Sequence, residues 1–321
     1  MNSQNKFTVI STFSGCGGSS LGYQLAGGKV LLAVEMDDNA VETYKLNFPN
    51  TPVYHGDIHN LTSDEILKRC NLKPGELDIL DGSPPCQGFS TAGKREYCDP
   101  RNQLYNEYIR LLRGLQPKVF VMENVSGLVK GKMKLIFKDI LTELKASGYN
   151  VKVRLMNAMY YNVPQSRQRL IFIGVRNDLG IEPSHPKPES KPITVKEALK
   201  NITPDTILEP YDCMKPYLKL MKQGDSMDKY HPKGSFFSHK RLANNKPANT
   251  LTKQSFREIV MPTEDRAIDI KEAQVLSSYP TSFKFTGSLK EQWSRIANSV
   301  PPNLMKAIAT HIYKNILSDH T

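Results

Sequence analysis

Apolar runs alternate with amphipathic stretches along the first half of the chain. The runs that indicate buried strands are TVISTF (8–13), KVLLAVEMD (29–37), ELDILDG (76–82) and KVFVMENV (118–125), with a shorter one before GDI (56–58). Helical spacing follows the first two runs, in SSLGYQLAG (19–27) and in residues 39–47. Strands that alternate with helical crossovers are typical of a parallel sheet covered on both faces. The pattern therefore predicts an α/β fold with a doubly wound sheet.

The second half of the chain is less regular. Its periodic segments are YNVKVRLMNA (149–158), RLIFIGVR (169–176), IKEAQVLSSY (270–279) and PPNLMKAIATHIYKNIL (301–317). Between them, the stretch from Pro183 to Pro216 holds seven prolines in a lysine-rich background with few periodic apolar positions. Such a stretch predicts an irregular second domain.

Polar motifs stand at the end of each predicted strand. They are FSGCGG (13–18), the acid Glu35, GDI (56–58), GSPPCQGFS (82–90) and the ENV segment at Glu123. In open α/β sheets the carboxyl ends of the strands form the edge where ligands bind. Five motifs at this one edge predict a single binding site.

The first three motifs suit a nucleotide-like cofactor. The glycines of FSGCGG allow a ligand to approach the backbone at a helix N-terminus, although the motif is not GxGxxG. Glu35 lies 22 residues beyond Phe13, the spacing at which such folds place an acid on ribose hydroxyls. Asp57 could meet an adenine amino group, while an aspartate in a turn commonly serves the turn alone.

The fourth and fifth motifs supply a thiol and a carboxyl group. Pro84 and Pro85 hold the approach to Cys86 in a stiff, extended shape, which a cysteine of the core does not need. A thiolate attacks electron-poor carbon, and a carboxylic acid such as Glu123 can protonate the ring nitrogen that takes up the charge. Alone, a cysteine is commonly a small buried hydrophobe and a glutamate a surface charge. Together they predict a nucleophile and its acid.

Basic residues indicate a polyanionic partner. The chain has 43 Lys and Arg against 32 Asp and Glu, a net charge of +11, and residues 183–257 carry +7 of it, with 14 basic residues against 7 acidic ones. In QSRQR, Gln165, Arg167 and Arg169 alternate, so an extended chain would place them on one face, where they suit a phosphate or a base carbonyl. The alternatives are a solvated lysine-rich surface and a salt-bridged strand.

Other classes of protein find little support. The five cysteines form no CxxC pair, and His55 and His59 lack a third ligand, so we expect neither disulfides nor a metal. No run approaches the roughly 18 apolar residues of a membrane span, and MNSQNKFTVIS lacks the apolar block of a signal peptide. We expect a cytoplasmic protein without membrane contact.

The motifs together resemble those of the DNA cytosine-5 methyltransferases of bacterial restriction-modification systems and phages. Eight segments match in family order: FSGCGG, VEMD, GDI, GSPPCQGFS, ENV, NVPQSRQR, KPANTL and RIANSVPPNL. The resemblance covers nearly the whole chain, and the irregular stretch from about residue 178 to 243 lies where that family keeps its target-recognition domain. Asn162 and Ala297 stand where the family usually has glycine. Asparagine tolerates a left-handed backbone, so we expect the first change to be mild, while Ala297 bears on the close packing of its turn.

The resemblance implies a Rossmann-like fold that binds S-adenosyl-L-methionine and releases S-adenosyl-L-homocysteine. It implies a catalytic and cofactor-binding domain of residues 1–178 plus 289–321, and a smaller target-recognition domain and hinge of residues 179–288. The implied catalytic residues are Cys86, Glu123 and Arg167. The implied cofactor residues are Phe13, Ser14, Gly15, Cys16, Gly17, Gly18, Glu35, Met36, Asp57, Ile58, Pro85, Leu104, Asn298, Ser299 and Val300. The implied contacts to duplex DNA are Gln87, Ser90, Lys94, Arg101, Gln165, Arg169, Lys240 and Arg241.

In the implied reaction the target cytosine rotates out of the duplex, because its ring carbons cannot be reached while it is stacked. Cys86 adds to carbon 6 while Glu123 contacts ring nitrogen 3 and the amino group. Carbon 5 then takes the methyl group, loses its proton, and Cys86 is expelled. Arg167 would support the flipped base, and the loop of residues 90–101 would close over the DNA. We expect a monomer, with a cognate restriction endonuclease as a partner in the cell.

Three alternatives stay open. A transfer-RNA cytosine methyltransferase on the same fold usually has proline, phenylalanine and threonine where this chain has Gly88, Phe89 and Ser90. A noncatalytic DNA-binding relative would have no need of an intact Cys86 and Glu123. A nicotinamide oxidoreductase would bind NAD.

Overall fold

The computed structural model describes residues 5–85, 104–131 and 133–318, which form two compact units. The first unit comprises the described parts of Met1–Met156, Gln168–Lys187 and Met305–Thr321. The second comprises Asn157–Arg167 and Pro188–Leu304. This division groups residues 157–167 and 289–304 with the second unit, whereas the sequence-based bounds group them with the catalytic domain.

The strands and helices lie close to the predicted segments. The strands are β1 (Phe7–Thr12), β2 (Gly28–Glu35), β3 (Val53–His55), β4 (Ile79–Gly82), β5 (Val119–Val125), β6 (Tyr149–Asn157), β7 (Gln165–Ser166), β8 (Gln168–Arg176), β9 (Lys240–Arg241), β10 (Ala248–Asn249) and β11 (Ile259–Val260). The helices are α1 (Gly18–Leu25), α2 (Asp38–Asn47), α3 (Ser63–Cys70), α4 (Leu104–Leu115), α5 (Met133–Ala146), α6 (Val195–Ala198), α7 (Lys215–Leu218), α8 (Ile270–Leu276), α9 (Leu289–Asn298) and α10 (Pro302–Ile312).

A seven-stranded sheet forms the centre of the first unit, in the order β3-β2-β1-β4-β5-β8-β6. The pairs from β3 to β5 are parallel, and β8 runs antiparallel to β5. The sheet buries its apolar side chains, Ile10, Leu32, Leu80 and Phe120 among them, against helices such as α3, α4 and α5. The doubly wound α/β fold is confirmed, with a mixed sheet in which β8 is antiparallel to β5.

The second unit is irregular, as predicted. Its strands form two short pairs, β7 with β10 and β9 with β11. Helices α8 and α9 begin with capping boxes, in which Asp269 and Ser288 accept from the backbone three residues on and Glu272 and Glu291 reach back, so the first turn of each helix is satisfied locally. The single tryptophan, Trp293, is buried in this unit and donates to the Thr252 carbonyl at 2.9 Å.

Within the residues that the structure describes, no helix combines the length and the apolar character that crossing a membrane would need.

Candidate active site

The carboxyl ends of neighbouring parallel strands lie level with one another in the sheet. Thr12 of β1 pairs with Val34 of β2 and with Gly82 of β4, and Gly82 pairs with Met122 of β5. Strand β3 extends the row beside Glu35. The chain reverses its direction of winding between β1 and β4, which is the switch point where open α/β sheets bind ligands. The structure thus brings the described parts of the five polar motifs to one edge.

The loop after β1 is tightly folded. Phe13, Gly15 and Gly17 have φ of 53°, 55° and 96°, a left-handed region that glycine enters without strain and phenylalanine does not. The Ser14 hydroxyl donates to the Ser11 carbonyl at 2.7 Å and accepts from the backbone N–H of Val34 at 3.1 Å. These bonds fasten the loop to the end of β2.

Gly17 stands directly before α1, where bulk is excluded. A Cβ atom at this position would lie 2.3 Å from the Phe48 ring, so the left-handed backbone and the crowding both require glycine. Gly18 begins α1, and the neighbouring Cys16 is buried. A buried thiol here packs as a small apolar side chain. The loop therefore presents its backbone, rather than its side chains, at the strand edge.

Glu35 joins this loop to the segment that follows β2. Its Oε2 accepts from the backbone N–H of Gly15 at 2.8 Å, and its Oε1 accepts from the N–H groups of Met36 and Asp37 at 2.8 and 2.9 Å. A carboxylate has about four acceptor positions, so these contacts leave room for a hydroxyl donor. Next to it, Met36 is 63% exposed and offers an apolar surface at the same edge.

Asp57 caps the short helical turn of Ile58–Asn60. Its Oδ1 accepts from the backbone N–H of His59 at 3.0 Å and contacts the His59 ring at 2.7 Å, and these bonds, the backbone one foremost, lower the pKa of Asp57. Ile58 is buried beneath it. Asp57 therefore has the turn role that the sequence left open. In the described ranges, no cluster of three metal-ligating side chains occurs at His55 and His59 or elsewhere.

Strand β4 leads directly into the predicted nucleophile. A Cβ atom at Gly82 would lie 2.5 Å from the Tyr108 ring, so this strand end passes closely over α4. Asn124 of β5 donates to the Pro84 carbonyl at 3.4 Å, which ties the proline pair to the end of β5. Pro85 and Leu104 are half-buried. The predicted residues Cys86, Gln87, Ser90, Lys94 and Arg101 lie outside the described part of the chain.

Glu123 forms an ion pair with Arg169. The Arg169 Nε lies 2.7 Å from the Glu123 Oε1, and the two side chains are only 14% and 11% exposed. Glu123 faces Ile171 across the antiparallel pair of β5 and β8, so Arg169, two residues away on the same face, reaches it diagonally. Burial lowers the pKa of Arg169, and the attraction of Glu123 opposes this shift. The register of two strands therefore orients the predicted acid.

Gln165 and Arg167 bind partners within the second unit. The Arg167 guanidinium donates to the carbonyls of Leu251, Ala297 and Ser299 at 3.0, 2.7 and 3.0 Å. Gln165 is also buried, and it contacts the Leu251 N–H, the Leu276 carbonyl and the Ser277 hydroxyl. Arg167 lies between β7, which ends at Ser166, and β8, which begins at Gln168, and these two strands pair with different partners. Gln165 and Arg167 both bind Leu251, whereas Arg169 pairs with Glu123, so the three side chains do not share one set of partners.

These contacts do not favour the predicted DNA contact of Gln165 or the predicted base contact of Arg167. A base or phosphate contact needs accessible donors, but Gln165 and Arg167 are each almost fully buried and hold main chain. Arg169, which we expected to bind DNA, is the arginine that contacts the predicted acid. Asn298 ends α9, and Ser299 and Val300 follow it. Their cofactor contact stays a prediction.

Arg241 also has a structural position. Its guanidinium donates to the carbonyls of Leu218, Met261 and Glu264 and to the Asp265 carboxylate. The side chain is buried, so its donors are directed inward, and the predicted DNA contact is corrected to internal support. Lys240 is half-buried in β9, and its DNA contact stays a prediction.

The sequence analysis missed a buried carboxyl group directly beneath the edge. Asp81, on β4, accepts from the Ser11 hydroxyl at 2.9 Å and from the Tyr23 hydroxyl at 3.1 Å. Burial raises the pKa of Asp81 to about 7, although both hydrogen bonds lower it, and the nearby Glu123 raises it further. An acid within the apolar run ELDILDG is the only signal that could have drawn attention to it.

The sequence matches the family model of the C-5 cytosine-specific DNA methylases over residues 7–314. The chain is 34% identical to the type II methyltransferase M1.HphI of Haemophilus parahaemolyticus, over 96% of this chain and 87% of the relative. It is also 34% identical to the type II methyltransferase M.Sau96I of Staphylococcus aureus, over 94% of this chain and 74% of the relative.

Solved structures share the fold. A prophage-encoded protein from Escherichia coli, described as a DNA modification methyltransferase, is 27% identical and superposes with a TM-score of 0.79 over 97% of this chain and 99% of its own. The Dnmt2 methyltransferase of S. pombe has a TM-score of 0.69 over 98% of this chain and 100% of its own. At 16% identity, that second likeness concerns the fold alone.

Proposed function

The chain belongs to the C-5 cytosine-specific DNA methylases, and on this premise we propose how its residues transfer a methyl group to carbon 5 of cytosine in duplex DNA. The observation that carries the proposal is the ion pair of Glu123 and Arg169 at the strand edge, one strand away from the Pro84 and Pro85 approach to Cys86. This places an oriented acid beside the strand that leads to the thiol.

We propose that the edge formed by β1, β2 and β3 binds S-adenosylmethionine, which supplies an electrophilic methyl group when bound. The residues there fit such a molecule. The loop from Phe13 to Gly18 exposes backbone at the start of a helix, the remaining acceptor capacity of Glu35 suits a ribose hydroxyl, and Met36 offers an apolar surface to an adenine ring. Asp57, engaged in its turn, is a weaker candidate for the adenine amino group.

We propose that Cys86, as a thiolate, adds to carbon 6 of a cytosine that has been rotated out of the duplex. Glu123 contacts ring nitrogen 3 and the amino group, and a proton held between its carboxyl group and ring nitrogen 3 stabilises the electron pair displaced from the ring, so carbon 5 becomes nucleophilic. Carbon 5 takes the methyl group, and S-adenosylhomocysteine is the other product. A water molecule then takes the proton from carbon 5, the electrons of that bond restore the double bond between carbons 5 and 6, and Cys86 leaves as a thiolate. The side chains in this reaction belong to residues at, or directly beyond in sequence, the strand edge.

Arg169 takes the role that the sequence had given to Arg167. Its fork can hold the Glu123 carboxyl through one nitrogen and leave further donors for the carbonyl oxygen of the base. Because Glu123 and Arg169 are mostly buried, they are screened little by solvent, and the orientation that they share is worth more than it would be on the surface.

The partners follow from the same reaction. We propose duplex DNA as the substrate, which the charge surplus of +11 suits, and a monomer as the working form in the cytoplasm. A cognate restriction endonuclease is proposed because relatives are type II methyltransferases.

Transfer of tritium from methyl-labelled cofactor tests the proposal. Duplex DNA and transfer RNA are offered separately, and bisulfite sequencing then locates the product. We expect label in DNA alone. Cys86→Ser should reduce transfer to background while cofactor affinity, measured by calorimetry, stays unchanged. Cys70→Ser, in which a half-buried thiol of α3 is replaced, is the matched control and should stay active. Label in transfer RNA alone would refute the choice of substrate, and turnover by Cys86→Ser would refute the nucleophile.

A further inference from the structure

An exposed aromatic side chain stands out in the second unit. Phe237 is 67% exposed, the highest value among the large apolar side chains that the structure describes in this unit. Burial of a phenylalanine side chain is favourable, and this position does not obtain that gain. Single exposed apolar residues are common. The exposure of Phe237 is therefore informative only together with the bonds that hold its loop.

The loop of residues 230–239 is held firmly at its foot. The backbone N–H of Met227 donates to the His239 carbonyl at 2.9 Å, and the N–H of His239 donates to the Phe236 carbonyl at 3.1 Å. His239 is buried, with the Cys213 sulfur 3.8 Å from Nε2 and a Glu258 oxygen 3.8 Å from Nδ1. Backbone bonds therefore hold the loop at His239, whose ring is buried.

Phe236 turns the chain so that its neighbour faces outward. Its φ is 78°, a left-handed conformation that is unfavourable for a residue other than glycine. Its ring packs against His231 and His239, with centroids 4.5 and 5.1 Å away. Phe236, whose ring packs inward, and Phe237, whose ring is exposed, are thus successive residues. The unfavourable φ belongs to Phe236, where the direction of the side chains changes.

The charge around the loop identifies the partner. Residues 219–240 contain five lysines and two aspartates, and one aspartate, Asp225, is already paired with Lys229. Lys233 is exposed within the loop. Ammonium groups suit phosphates, while a phenylalanine beside them suits the apolar edge of a base in the major groove. The surplus of lysine suits the regular negative charge of a nucleic acid better than the mixed charges of an average protein surface.

We propose that Phe237 contacts a base pair of the duplex substrate and determines the sequence preference at that position. The loop of residues 230–239 presents the ring, Lys233 in the loop and the lysines that flank it hold the phosphates, and the buried His239 holds the base of the loop. This inference rests on the proposed function, because it requires DNA as the substrate.

The test uses the full-length protein and a library of duplexes in which the bases that flank one cytosine are randomised. Methylation is read by bisulfite sequencing for the wild type, Phe237→Ala and Leu220→Ala. Leu220 is 57% exposed in the same unit but lies outside the loop, so it is the matched control. We expect Phe237→Ala to relax discrimination at one flanking position by about tenfold, the order of a lost base contact. Leu220→Ala should keep the wild-type preference.

The salt dependence of DNA binding distinguishes a residue that contacts bases from a residue that contacts phosphates. Lys233→Gln should lower the slope of log K against log salt by about one and keep the preference. Phe237→Ala should change the preference and keep the slope. A preference within about twofold of the wild type at every position in Phe237→Ala overturns the proposal, as does an equal loss on all sequences. No methylation of DNA by the wild type would instead refute the proposed function.

Discussion

Arg169 in the first unit and two buried arginines in the second, Arg167 and Arg241, have opposite uses. In the first unit, Arg169 lies on a regular strand and holds the acid Glu123 at the edge of the sheet. In the second unit, Arg167 and Arg241 are buried, and each donates to three main-chain carbonyls. A regular sheet satisfies its own backbone, so its charged side chains are available for chemistry. An irregular unit has carbonyls without such partners, and guanidinium groups supply the missing donors.

The largest expected effect concerns Arg167. Arg167→Lys keeps the charge but cannot reach all three carbonyls, and each buried carbonyl left without a donor costs about 1–3 kcal/mol. We expect a loss of about 3 kcal/mol in the free energy of unfolding. The single tryptophan, Trp293, is in this unit, so its fluorescence during urea unfolding measures the change. A midpoint equal to the wild type would show that these bonds contribute little.

Arg169→Lys is the matched change in the first unit. Lysine can still pair with Glu123, but it lacks the fork that orients the carboxyl. We expect kcat to fall about a hundredfold, or about 2.7 kcal/mol, with KM for DNA nearly unchanged. The tryptophan transition in urea should stay close to that of the wild type. If Arg169→Lys instead lowered stability and kept kcat, the contrast between the two arginines would fail.

Asp81, a buried carboxyl group of the first unit, makes the stability of the protein depend on pH. Its pKa rises from an ordinary value of 3.8 to about 7 in the folded protein, so between these values the folded state holds a proton that the unfolded state releases. The stability that this group contributes is therefore complete below pH 4 and is lost as pH rises toward 7. Asp81→Asn mimics the neutral form. We expect its stability, relative to wild type, to improve by on the order of 2 kcal/mol from pH 5 to pH 8, as measured by urea unfolding at each pH.

The smallest effect concerns Asn162 in the second unit. Its φ is 56°, the left-handed conformation that the sequence analysis allowed for asparagine. Asn162→Gly should change the free energy of unfolding by about 0.5 kcal/mol or less, whereas Asn162→Ala should cost about 1 kcal/mol. Thermal unfolding of the two variants side by side measures the difference. Equal stability of both would mean that the backbone here relaxes.

The sequence predicted the sheet and its edge well, because both follow from local patterns. Apolar runs located β1, β2, β4 and β5, and the motifs directly after them reached the same edge. The partners of the arginines were not predictable in this way. The prediction from QSRQR treated the segment as one continuous strand. The partners of Arg167 are carbonyls that lie 84 to 132 residues away in sequence, so a local pattern cannot reveal them. Asp81 was missed because burial, which raises its pKa, cannot be read from one acid in an apolar run.

The bonds of Arg167 have a consequence for building chimaeras. A graft that exchanged only residues 188–304 for those of a relative would replace the main chain that supplies all three acceptor carbonyls of this guanidinium, while the arginine kept its native segment. The short segment Asn157–Arg167 must therefore travel with the longer one. The segment to be exchanged is therefore discontinuous in sequence. A designer who wishes to give this enzyme a new target site has to join the two sequences at four points, two more than a single continuous segment would require.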